Sequence, residues 1–132
     1  MNEFDNNLKS DRISVLEHIL LTSKNENEKL EAITQLMKKS DNRAHLAMLK
    51  ALEDKSCRVR EKALNSIKQS RIRDEILVEY LLPLINEESP NVRGKAIQLL
   101  KEMANEELLP HFLNKLNDES DLVRSMAIQA IG

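Results

Sequence analysis

The sequence predicts an all-α protein, an α-solenoid of about four helical hairpins. Three observations carry that prediction. The first is a recurring motif: Asp54-Lys55-Ser56-Cys57-Arg58-Val59-Arg60-Glu61-Lys62-Ala63-Leu64 returns as Glu87-Glu88-Ser89-Pro90-Asn91-Val92-Arg93-Gly94-Lys95-Ala96-Ile97, and again as Asp118-Glu119-Ser120-Asp121-Leu122-Val123-Arg124-Ser125-Met126-Ala127-Ile128. Its anchor alanines Ala63, Ala96 and Ala127 lie 33 and 31 residues apart, and a degenerate copy ends at Ala32, 31 residues before Ala63. A fixed period in this range marks supersecondary units that bury their apolar faces only against one another. The second is composition: 41% of residues are apolar but only 2% aromatic, with two glycines, which suits close-packed helices and not a sheet. The third is that apolar residues within each copy recur at helical spacing.

Taken in order, the chain opens on a polar segment, 1–10, with no apolar stretch of the kind a secretory signal needs. A single repeat domain then spans 11–132, with repeats at about 11–40, 41–70, 71–104 and 105–132. Helices are expected at about 12–22, 26–38, 43–53, 57–69, 74–86, 90–103, 107–117 and 121–131. The second helix of each pair has a punctuated start. Ser89-Pro90 is an N-cap followed by a first-position proline, which has no N–H to lose there. Ser56 and Ser120 are expected to cap the equivalent helices. Downstream, Val59, Ala63, Leu64 and Ile67 share a face, a pattern repeated by Val92, Ala96, Ile97 and Leu100, then by Val123, Ala127, Ile128 and Ile131. The alanine column lets two helix backbones approach. The first helices carry Met48, Leu49 and Leu52, aligned with Leu81, Leu82 and Ile85, then with Phe112, Leu113 and Leu116. Pro83 falls inside its stripe and should bend that helix, whereas Pro110 lies near a helix start, where it costs less.

The pattern acidic-x-Ser-x-x-Val-Arg-x-x-Ala-Ile/Leu after a Leu-rich helix resembles HEAT repeats, and within them the short prokaryotic HEAT-like units also found in phycobilisome lyases. The resemblance covers 41–132, and 12–40 more weakly. It implies a right-handed α-solenoid. It implies no single function, because the family includes scaffolds, chaperone-like lyase subunits, transport receptors and a few DNA-repair enzymes.

Charge is unevenly spread. Residues 1–36 carry net −3, 37–73 net +7 and 74–132 net −6, for a total of −2. A slightly acidic chain is a poor general nucleic-acid binder. The basic middle, with Lys55, Lys62, Lys68, Arg58, Arg71 and Arg73, is either a solvated face or a docking patch for an acidic protein segment. Phosphates fit it less well, because Phe4, Tyr80 and Phe112 are the only aromatics and the last two lie on apolar stripes. Arg60, Arg93 and Arg124 recur at one position. They are either an anion-binding stripe or, as the family resemblance implies, a structural ladder bonded to turn acids such as Asp54, Glu87 or Glu88, and Asp118. The ladder is the favoured reading.

The outward positions Arg58, Lys62 and Asn65 become Asn91, Lys95 and Gln98, then Leu122, Met126 and Gln129. Leu122 and Met126 therefore mark a partner-binding patch or a surface covered by another repeat or chain. Gly132 sits where the last helix ends with no polar cap behind it, which suggests self-association through the C-terminal repeat or a longer array.

Catalysis finds little support. His18, His45 and His111 are scattered, none with a second His or Cys at metal spacing, so no metal or cofactor is expected. The acid pairs Glu87-Glu88 and Glu106-Glu107 sit at helix junctions, where carboxylates are favoured without an acid–base task. Cys57 is a single cysteine, so no intrachain disulfide can form, and it reads as a small surface or capping-turn residue. No run approaches the roughly 18 apolar residues of a membrane span. The expectation is a cytoplasmic, non-catalytic scaffold or adaptor that presents its second helices to another protein. The alternatives are a nucleic-acid-binding protein related to HEAT-type DNA glycosylases, or a lyase-type helper that holds a tetrapyrrole-bearing protein.

Overall fold

Helix-forming composition and capped starts give eight α-helices and no strand among the described residues. The computed structural model of the chain describes residues 3–39 and 41–132, with side chains from residue 12 onward. The helices are α1 (Glu3–Thr22), α2 (Glu26–Met37), α3 (Asn42–Ala51), α4 (Cys57–Ser70), α5 (Glu75–Leu81), α6 (Pro90–Glu102), α7 (Leu109–Asn114) and α8 (Asp121–Ile131). They form two compact units, Met1–Ser70 and Arg71–Gly132, whose boundary falls where the second expected repeat meets the third.

In the first unit α1 packs on α2 and α3, and α4 packs on both α2 and α3. In the second, α6 lies between α5, with the turn that follows it, and α8, while α7 packs on α8. The alanine column behaves as its small volume allows: Ala32, Ala63, Ala96 and Ala127 are all buried, flanked by buried Ile33, Leu64 and Ile97.

Four local features differ from the sequence expectation. The polar N-terminal segment is helical backbone from Glu3 onward, while Met1 and Asn2 lie outside the described residues. Pro83 does not bend an α-helix. The chain changes at Leu82 into a five-residue 3-10 turn, Leu82–Asn86, whose tighter winding accommodates a residue that has no N–H to give. The first helix of the last hairpin is similarly shortened to α7, with 3-10 turns at Glu106–Leu108 and Lys115–Asn117. Finally, Ser56 and Ser89 accept from the amides of Val59 and Val92, each at 3.4 Å, whereas the Ser120 hydroxyl makes no such bond. The Ser120 amide still donates to the Asp118 carboxylate at that turn, at 2.9 Å.

Candidate functional site

The recurring turn and the recurring arginine together make one device. In each turn the acid folds back onto the serine amide two residues later: Asp54 at 2.8 Å, Glu87 at 3.2 Å and Asp118 at 2.9 Å. In each following helix the arginine reaches back six residues to a turn carbonyl. Arg60 donates to Asp54 O at 2.7 Å, Arg93 to Glu87 O at 2.8 Å and Arg124 to Asp118 O at 2.6 Å.

Arg93 does more. Its Nε and Nη2 hold the two oxygens of Asp118 in the next repeat, at 3.1 and 2.9 Å, and both side chains are more than nine-tenths buried. This fork-to-carboxylate geometry is the strong form of an ion pair. Burial alone would push the Asp118 carboxyl up. The Arg93 hydrogen bond, the Ser120 amide and the positive charges of Arg93 and Lys115 outweigh it and hold the carboxyl below the usual carboxylate range.

The first unit repeats the arrangement with a residue that the sequence reading missed. Lys29 Nζ meets Asp54 Oδ2 at 2.6 Å, again buried on both sides. Lys29 stands three residues before Ala32, as Arg60, Arg93 and Arg124 stand before their alanines, so the register was the signal and the change from arginine to lysine hid it. Arg124 differs from both. Its ion pair is with Asp121 on its own helix, and that carboxylate is fully open to solvent.

The basic residues are shared between the two units. Arg58 and Lys62 come together on α4, lining a groove of about 480 Å³ against α2, with Leu30, Met37, Glu61, Asn65, Ser66 and Gln69 as the other walls. Arg58 bonds Glu26 across α2 and α4 at 3.1 Å, in an exposed pair, and Glu26 also accepts from the Ser56 hydroxyl. Lys55 and Lys68 are exposed on the same unit. Arg71 and Arg73 begin the second unit. Arg71 is exposed in a left-handed backbone conformation just beyond α4, and Arg73 is half-buried on Glu102 at 2.7 Å.

A second groove, about 250 Å³, runs between α6 and α8 and is lined by Gln98, Lys101, Glu102, Met126 and Gln129. Leu122 and Met126 pack over Gly94 on α6, where an added Cβ would stand 3.4 and 3.5 Å from their Cγ atoms. The apolar replacements in the last repeat therefore have a partner inside the chain, although Leu122 stays exposed. The bare backbone of Gly94 opposite was the signal for it.

Elsewhere, Cys57 opens α4 half-buried, and His18 and His111 are exposed. Among the described residues no three His, Cys, Asp or Glu side chains gather as a metal site. No described helix is long and apolar enough to cross a membrane. No curated protein matches the chain. The family described as HEAT repeats matches residues 78–132, which take in α6, α7, α8 and both turns of the second unit. That match covers less than half of the chain; with helical hairpins and the same acid–serine–arginine device in both units, the chain is similar to HEAT repeats.

Proposed function

We propose that this chain is a non-catalytic adaptor that holds an acidic, amphipathic segment of another protein in the groove between α2 and α4. HEAT repeats are generally protein-interaction scaffolds, which supports the class of function. The observation that carries the specific reading is the groove's make-up: two cations, Arg58 and Lys62, beside apolar Leu30 and exposed Met37. A segment with carboxylates on one side and aliphatic residues on the other satisfies both. The Arg58–Glu26 pair is no obstacle, since an exposed ion pair contributes about 0–1 kcal/mol and an incoming carboxylate can replace Glu26. Lys55 and Lys68 add long-range attraction that raises the encounter rate and weakens with salt. Self-association through the C-terminal repeat is a second proposed contact on a different surface, and the protein is proposed to work in the cytoplasm.

The test is affinity capture from nuclease-treated host lysate with the wild-type chain and an Arg58→Glu, Lys62→Glu variant as baits. Arg58 is exposed and Lys62 is partly exposed, and neither belongs to the buried core, so the variant should melt close to wild type. A protein retained by wild type and lost by the variant supports the adaptor. Recovery only when nuclease is omitted favours the nucleic-acid alternative and overturns it.

A further inference from the structure

Where Arg58 stands at the α2–α4 groove, the chain already holds a carboxylate, and it is its own. Glu26 opens α2 directly after the Asn25 cap, and its side chain reaches across to α4. One of its oxygens accepts from Arg58 Nη1 at 3.1 Å and the other from the Ser56 hydroxyl. The serine is held in that pose from two sides. Its amide donates to Asp54 Oδ1 at 2.8 Å, and its hydroxyl oxygen accepts from the Val59 amide at 3.4 Å. Asp54 is itself fixed by buried Lys29 at 2.6 Å. Ser56 and Arg58 therefore form a two-donor seat for a carboxylate, and its serine half is tied to the buried ladder through Asp54.

Two comparisons within the chain separate this seat from the ladder itself. The side chains of Lys29–Asp54 and Arg93–Asp118 are all more than nine-tenths buried, whereas Glu26 is 39% and Arg58 67% exposed. The other stacked pair of second helices also does without the bridge. At the registers of Glu26 and Arg58, α6 and α8 carry Pro90 and Leu122, so no carboxylate meets a guanidinium there, and the two helices still pack. Stacking does not require the contact. It is exposed, it lies at a groove, and its chemistry is that of the ligand the groove is proposed to take.

We propose that Ser56 and Arg58 are the subsite for an acidic side chain of the partner segment, and that Glu26 fills it as a built-in competitor. The inference rests on the reading of the α2–α4 groove as the docking site. In the bound state the partner's carboxylate takes the Ser56 hydroxyl and the Arg58 guanidinium. Glu26 then turns to solvent, where its charge in the first turn of α2 is still favoured by the helix dipole. One carboxylate replaces another, so both donors stay satisfied through the exchange. A segment with a neutral residue at this point has no charge with which to displace Glu26. The competitor therefore leaves the groove open to acidic segments and selects against the rest.

The probe is a fluorescein-labelled synthetic helix with glutamates along one face and leucines along the other, titrated with the full chain by fluorescence anisotropy. Glu26→Ala should tighten its binding about two- to fivefold, the range set by losing one exposed ion pair. Glu28→Ala removes the same charge from the same helical turn without touching Arg58 or Ser56, and should change binding less than about twofold. Ser56→Ala takes a donor from competitor and ligand alike, so in the wild-type background its effect should also stay below about twofold. In the Glu26→Ala background only the ligand loses the donor, and binding should weaken about fivefold or more. Unchanged or weaker binding by Glu26→Ala, an equal gain from Glu28→Ala, or a Ser56→Ala effect of the same size in both backgrounds would overturn the proposal and leave the docking site standing. A probe that fails to bind wild type, or binds it and Arg58→Glu, Lys62→Glu equally, would overturn the docking site and the proposal together.

Discussion

Replacing Arg93 by alanine should destabilise the second unit far more than the same change at Arg124, although the two residues occupy one position of one motif. In the wild type the Arg93 guanidinium spends four hydrogen bonds, two on Asp118 and one each on the carbonyls of Glu87 and Glu88, with side chains only 7% and 8% exposed across the ion pair. Removing it strands a buried carboxylate, and breaking a buried pair from one side costs about 3–5 kcal/mol. Asp118 keeps the Ser120 amide and the neighbouring charge of Lys115, so the lower end, about 3 kcal/mol, is expected. Arg124 gives up an exposed pair and one carbonyl bond, together about 1 kcal/mol. Chemical denaturation followed by far-ultraviolet circular dichroism measures both. In thermal melts the Arg93 variant should fall by about 9 °C, at about 3 °C per kcal/mol for a chain of this size. Equal losses at the two positions, or an Asp118→Asn variant as stable as Glu119→Gln, would refute the reasoning.

Three further outcomes follow from named groups. Stability from Asp118 should be fully present above about pH 4, the unfolded carboxyl range. It should be lost as the pH falls through the depressed folded value, so an acid titration of wild type should be steeper than that of Asp118→Asn. Ser89→Ala should cost about 1 kcal/mol by removing a cap to Val92, while Ser120→Ala should cost only a few tenths, about 0.3 kcal/mol, because its hydroxyl caps nothing. Denaturant midpoints of the two variants decide it. Gly94→Ala should stabilise α6 by about 0.5–1 kcal/mol, since the new methyl meets Leu122 and Met126 at ordinary contact distance; a loss of stability would show that α6 and α8 cannot spare that space.

Much of this architecture was written in side-chain identity. The acid-x-Ser turns and the arginine three residues before each alanine are chemically unambiguous, and the distances at Arg93 and Asp118 follow from them. Lys29 escaped notice because lysine on a charged helix reads as solvated, and only its register relative to Ala32 distinguishes it. The helical stretch before residue 11 was hidden by polar composition, which argues against burial but not against helix. At Pro83 the missing N–H was legible, but its consequence was not: a bent α-helix and a 3-10 turn both answer it. The basic run between Lys55 and Arg73 is continuous in sequence yet divided by the unit boundary after Ser70, and linear spacing carries no sign of that division.

The proposed function stands on the α2–α4 groove, and site-directed photo-crosslinking tests it most directly. A benzophenone side chain at Gln69, on the groove wall, is compared with one at exposed His111 in nuclease-treated lysate, and adducts are mapped by mass spectrometry. The account predicts a protein adduct at Gln69 alone, joined to an acidic segment and suppressed by Arg58→Glu with Lys62→Glu. Adducts of equal yield at both positions, or a Gln69 adduct untouched by the charge reversal, would contradict it.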